Sequence, residues 1–186
     1  MIEVALRYHR KARVWLEGRP ACLEVPPAEL AFCASGYVQP CRSSAAVELM
    51  IPRGAHVQYG LLGGTYYATS GDRLVLRAAT VDEDGAGCGP KYNDSLVQSL
   101  ETPRVGLPRH LAEGAISGLK NRFSMQGSLG PGILSLDCAA FGSVGSSPVV
   151  FGHLASLLVS VMVAQEISPM LLDEVLEDLL DRGTLT

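Results

Sequence analysis

Residues 142–165 read GSVGSSPVVFGHLASLLVSVMVAQ. A turn rich in glycine and serine runs into a proline, and the sixteen residues from Val149 to Ala164 that follow are nearly all apolar. Serine oxygens accept free backbone N–H groups at a helix start, and proline loses nothing there, so the stretch predicts a capped helix over Pro148–Gln165. Gly152, His153, Ser156 and Ser160 interrupt the run. It falls short of the ~20 apolar residues a membrane span needs, so the helix is expected to be buried, with no membrane contact.

Working outward, Gly130-Pro131-Gly132 introduces an apolar strand from Ile133 to Ala139. Before it, Pro108 opens a helix whose Leu111, Ala112, Ala115, Ile116 and Leu119 form a face of period 3.6, through about Lys120. Gly114 and Gly118 weaken that helix by about 1 kcal/mol each relative to alanine, which requires a close neighbour. Downstream, Ser168 and Pro169 mark the start of a last helix. Leu172, Val175, Leu176, Leu179 and Leu180 form one face of it, and acidic residues the other. Upstream, the pattern predicts strands over Ala45–Ile51, with His56–Leu62 as its second half, Arg73–Thr80 and Asn93–Thr102, with Gly63-Gly64-Thr65 as a turn.

The order β–β–β–α–β–α, with its helices late, predicts an α+β fold. We expect a four-stranded mixed sheet covered on one face by two helices. Residues 1–44 carry an alternating strand (Ile2, Val4, Leu6, Tyr8), two shorter strands, and a short helix over Ala28–Phe32. The expected organisation is therefore an N-terminal strand and hairpin extension (1–44), an α+β domain (45–165) and an acidic amphipathic C-terminal helix (166–186).

The charge of −4 is unevenly spread: +2 over residues 1–44, −1 over 45–165 and −5 over 166–186. No segment has the cationic excess that phosphate neutralisation demands, which excludes strong nucleic-acid binding. Arg7, Arg10, Lys11 and Arg13 read as a solvated turn between strands. The chain has 20 glycines and 11 prolines without a period, which suits a turn-rich sheet protein. The five cysteines (22, 33, 41, 88 and 138) are odd in number and lack CxxC or zinc spacing. With no signal-peptide pattern at Met1, they point to free thiols in a cytoplasmic protein without metal or other cofactor. Asp82, Glu83 and Asp84 prompt a calcium reading, but EF-hand spacing is absent and a solvated loop is the better one.

The middle of the chain, residues ~45–164, resembles domain IV of the translational GTPase elongation factor G. The resemblance rests on order and spacing. The cues are Gly63-Gly64, an acidic loop leading to Tyr92-Asn93-Asp94, and Val105-Gly106-Leu107-Pro108 opening a helix with Glu113-Gly114. The strand 133–139 follows, then Gly142-Ser143-Val144-Gly145-Ser146-Ser147 before Phe151. It implies the fold of ribosomal protein S5 domain 2, a split β-α-β unit with a left-handed crossover. It further implies that the working end lies at loop tips around Gly63-Gly64 and Gly142–Ser147, which in the elongation factor reach the ribosomal decoding site. No GxxxxGK[ST] nucleotide loop is present. The family's tip histidine has no counterpart here, since Gly142 or Ser143 stands in its place.

The candidate loop-tip or anion-binding residues are thus Gly63, Gly64, Gly142, Ser143, Gly145, Ser146 and Ser147. A helix N-terminus preceded by GSVGSS can cradle an anion, and it is similar to the phosphate loop of galactokinase-type kinases; a plain helix cap is the ordinary reading. His153 and Cys138 are weaker candidates. A core histidine with a hydrogen-bond partner and an inert buried thiol are the ordinary readings. GxSxG is absent, so no catalytic residue is assigned. The expected function is that of a stand-alone, non-enzymatic protein-interaction module, with the ribosome as a candidate partner, that forms a homodimer or other homo-oligomer. The alternative is a small anion- or phosphometabolite-binding protein or enzyme using the 142–147 loop.

Overall fold

In a computed structural model the chain is a mixed α+β protein. The structure describes residues 1–34, 36, 39–82, 89–127 and 129–183. Glu83, Asp84 and Cys88, and with them most of the calcium reading, lie outside the described residues.

The strands are β1 (Ile2–Ala5), β2 (Lys11–Trp15), β3 (Ala28–Ala34), β4 (Ser44–Arg53), β5 (His56–Ala68), β6 (Arg73–Ala78), β7 (Arg104–Val105) and β8 (Gly132–Phe141). The helices are α1 (Arg109–Gln126), α2 (Pro148–Val163) and α3 (Pro169–Gly183). The strands form one eight-stranded sheet in the order β1-β2-β4-β5-β8-β6-β3, with β7 on β8. Among the paired strands of the described residues, only β6 and β8 run parallel.

Of the expected strands, 45–62, 73–80 and 133–139 are present as the contiguous run β4-β5-β8-β6, but the sheet is not four-stranded and does not end there. Residues 1–44 enlarge it at both edges. The β1–β2 hairpin pairs with β4, and β3 pairs with β6. Residues 28–32, expected as a short helix, belong to β3, because the exposed edge of β6 offers a ladder that an isolated helical turn cannot match. Residues 93–102 are turns instead of a strand; the N–H groups of Leu100 and Glu101 both donate back to Val97 O.

Gly63 and Gly64 also differ from expectation. They lie inside the thirteen-residue β5, at a register shift against β8, and form no turn. A Cβ at Gly63 would stand 2.7 Å from Ala46 Cβ, and one at Gly64 2.4 Å from Ser135 O. The glycines let three strands approach, so Gly63-Gly64 is not a loop tip.

The helices cover one face. Val47, Leu49, Leu62, Leu134 and Leu136 from the sheet join Leu111, Leu119, Phe151, Leu154 and Leu158 in the main core. Helix α1 runs beyond Lys120 because Phe123 continues its buried stripe, and it stops at Gly127, whose φ is +84°. The predicted close neighbour of Gly114 and Gly118 is α2: Cβ atoms there would lie 2.4 Å from Pro148 O and Gly152 O. Matching 114 with 148 and 118 with 152 means that α1 and α2 run in the same direction with backbones in contact.

Helix α3 starts as predicted, with Ser168 Oγ accepting from Leu171 N–H at 3.2 Å. Its Leu172, Leu176 and Leu180 are buried in the chain's own core. Its acidic face meets the β1–β2 turn, where Glu177 pairs with Arg10 and Asp173 accepts from the Arg7 N–H. The basic cluster is therefore a solvated turn only at Arg7 and Lys11, which are exposed. Arg10 is buried, and Arg13 pairs with Glu3 and Asp94.

The second face of the sheet is covered by the chain itself. Ala46, Leu61, Cys138 and Ala140 pack against Ala21 and Tyr92, flanked by Trp15 and Val105. No helix among the described residues is long and apolar enough to cross a membrane.

Candidate functional site

The 142–147 loop joins β8 to α2 beside the start of β5. Ser146 organises it: its Oγ accepts from the Gly142 N–H at 2.9 Å and donates to Tyr59 O at 2.8 Å. Tyr59 N–H in turn donates to Gly145 O at 3.0 Å. Ser147 Oγ caps α2 by accepting from Val150 N–H at 3.3 Å. Gly145 is required because a Cβ there would stand 2.3 Å from Val57 O.

Glu101 decides what the loop can hold. A Cβ at Gly142 would fall 2.1 Å from Glu101 Oε1, and Ser143 Oγ donates to Glu101 Oε2 at 3.4 Å. A carboxylate from the 89–107 segment thus packs onto the turn where a phosphate would have to come. An incoming anion meets like charge and a loop whose Gly142 amide is already engaged. The seven candidates separate accordingly: Gly142, Ser143, Gly145, Ser146 and Ser147 form one internally bonded turn, whereas Gly63 and Gly64 sit inside β5.

Ser146→Ala removes two hydrogen bonds, one of them to a buried backbone donor. Its expected cost is about 1–3 kcal/mol, against about 1 kcal/mol for the cap variant Ser147→Ala. Urea midpoints of the two variants measure the difference.

His153 and Cys138 do not come together. Cys138 is fully buried among the residues of the second sheet face, and burial pushes its thiol up to about 12. His153 lies on α2, over the other face. It is half-buried, and its Nδ1 has no hydrogen-bond partner, contrary to the satisfied core histidine expected. Burial, aided by Arg53, holds its pKa below the ordinary value, so the ring is neutral at pH 7. Cys22, Cys33, Cys41 and Cys138 are free thiols, and no group of three His, Cys, Asp or Glu able to hold a metal occurs among the described residues.

Two groups stand out that the sequence reading did not single out. Glu48, in the middle of β4, is wholly buried on the second face. Its Oε1 accepts from Tyr59 OH and from Leu96 N–H, both at 2.9 Å, while Arg13 Nη1 lies 3.6 Å from Oε2. Burial raises its pKa to about 6 despite these partners. Sealed from solvent, it ties the 90–101 segment to the sheet. The only hint in the sequence is a charge within the apolar alternation of Ala45–Ile51. The second group is Arg122, near the end of α1, half-buried between the helices. Its position follows from the predicted helical period continuing past Lys120.

Comparison of the chain with protein-family models, with curated proteins and with solved structures gave no match.

Proposed function

We propose that the chain is a module on an elongation factor G domain IV-like scaffold. In this reading it has S5 domain 2-like topology with a left-handed crossover, and works in the cytoplasm by protein contact and self-association, without turnover. The β4-β5-β8-β6 order, with two helices running the same way on one face, fits that scaffold. The observation that carries the functional reading is the apolar tip. Leu100, Val144 and Val149 are 64%, 75% and 59% exposed on and beside a loop whose Ser146 and Ser147 bond the backbone. Apolar side chains gathered at one end of a soluble domain mark a surface that a partner removes from water. The adjoining Glu101 carboxylate speaks against the anion alternative at this loop.

Light scattering at micromolar concentration tests the reading, with a homodimer as the expected species. The double variant Leu100→Ser/Val144→Asp is expected to be monomeric with an unchanged circular dichroism spectrum. Cosedimentation with ribosomes at physiological salt is the second arm, and pelleting that the double variant abolishes supports a translational partner. A monomeric protein that also stays in the supernatant overturns the proposal.

A further inference from the structure

The seam between α1 and α2 opens outward into a groove of about 800 Å³, which α3 borders on one side. Its shape follows from the glycines. Gly114, Gly118 and Gly152 bring the two backbones together without side chains between them, leaving a furrow where larger residues would have made a ridge. Val149, Val175 and Leu179 supply apolar walls. The volume is within the range of small-molecule sites, ~300–1,000 Å³.

Arg122 lines this groove. Its Nε donates to Ser156 O at 3.2 Å and its Nη2 to Ser160 Oγ at 3.3 Å. Both acceptors are neutral, and among the described residues no carboxylate lies within ion-pair distance of the guanidinium. Burial lowers its pKa, as expected for a cation whose solvation is reduced without a compensating anion. One helical turn back on α2, His153 offers the same groove a buried Nδ1 that lacks a partner.

The groove is not broadly cationic. Glu113 and Asp178 are on its lining, and Glu113 pairs with Arg109. Multiply charged anions such as phosphate are disfavoured beside two carboxylates, whereas a single carboxylate matches the planar donor fork of one arginine. We infer that the groove binds an amphipathic monocarboxylate, its head on Arg122 and its hydrocarbon part along the glycine seam between Val149 and Leu179. The groove adjoins the apolar tip at Val149, but the inference rests on Arg122 and does not depend on the role given to the tip.

Calorimetric titration of the full chain with decanoate, below its micelle concentration, tests the inference. Saturable one-to-one binding is expected, at least tenfold tighter than that of decanol, decylamine or inorganic phosphate. Arg122→Gln is expected to weaken decanoate at least tenfold and to leave decanol unchanged. Ser117→Phe, which places a ring in the groove from an exposed position on α1, is expected to block decanoate while the circular dichroism spectrum stays that of the parent. Absence of decanoate binding overturns the inference. So does equal affinity for decanol or phosphate, or undiminished binding by folded Ser117→Phe, which remains decisive should Arg122→Gln fail to fold.

Discussion

Gly118→Ala is expected to destabilise the protein by about 3 kcal/mol, although alanine is the better helix former by ~1 kcal/mol. The new methyl group would lie 2.4 Å from Gly152 O and 2.5 Å from Gly152 Cα, both backbone atoms of the facing helix. A flexible side chain could swing away; a helix axis cannot move without disturbing the core that Leu154, Leu158, Leu111 and Leu119 share. Overpacking of this kind costs about 1–3 kcal/mol and occasionally more, and backbone against backbone belongs at the upper end. For a chain of this size, 3 kcal/mol corresponds to a Tm lower by roughly 6–12 °C. Thermal unfolding followed by circular dichroism gives the answer. An unchanged or raised Tm means that the helices are further apart than described here.

Glu48→Ala is the second large effect, expected to cost about 3 kcal/mol at pH 7. It leaves the Tyr59 hydroxyl and the Leu96 N–H, both bonded to Oε1, without an acceptor, and removes the charge facing Arg13. A buried donor left unpartnered costs about 1–3 kcal/mol. Hydrogen exchange at the Leu96 amide is expected to accelerate in the variant, because the tie of the 90–101 segment to the sheet is lost.

The pH dependence gives an independent reading of the same group. The folded-state pKa of about 6 lies above the ordinary 4.5 of a glutamate, chiefly because burial penalises the charged form. The native state therefore holds the proton longer than the unfolded chain. Glu48's contribution is full below about pH 4 and is lost as pH rises through about 6, a loss of about 2 kcal/mol at ~1.4 kcal/mol per unit. Glu48→Gln, which cannot ionise, is expected to lack this fall between pH 4 and 7. Parallel curves for the two proteins would mean that the carboxyl titrates normally.

The elements that the sequence predicts well are those whose signals are local. Ser168 caps α3 and its leucines face inward, as their spacing requires. Pro148 opens α2, and the pairing of Gly114 and Gly118 announced a close neighbour. The misread segments depend on partners far along the chain. Residues 28–34 form a strand because β6 is there to pair with, and 93–102 are turns because Val97 and Ser95 carbonyls capture nearby amides. Gly63-Gly64 has the composition of a turn, yet the same lack of a Cβ serves strands packed too closely for any side chain. The candidate site was half legible. The GSVGSS turn and its helix were found, but Glu101, 41 residues upstream of Gly142, is what fills it.

Period and punctuation alone thus determined the α+β class, the three helices and the cap of each late helix, because helical hydrogen bonds and caps close within four residues. Only the tertiary structure decided the eight-strand width, the burial of Glu48 and the groove at Arg122. Strand neighbours and the environment of a charge are set by contacts between residues far apart in the chain, and no local pattern encodes which distant segment arrives.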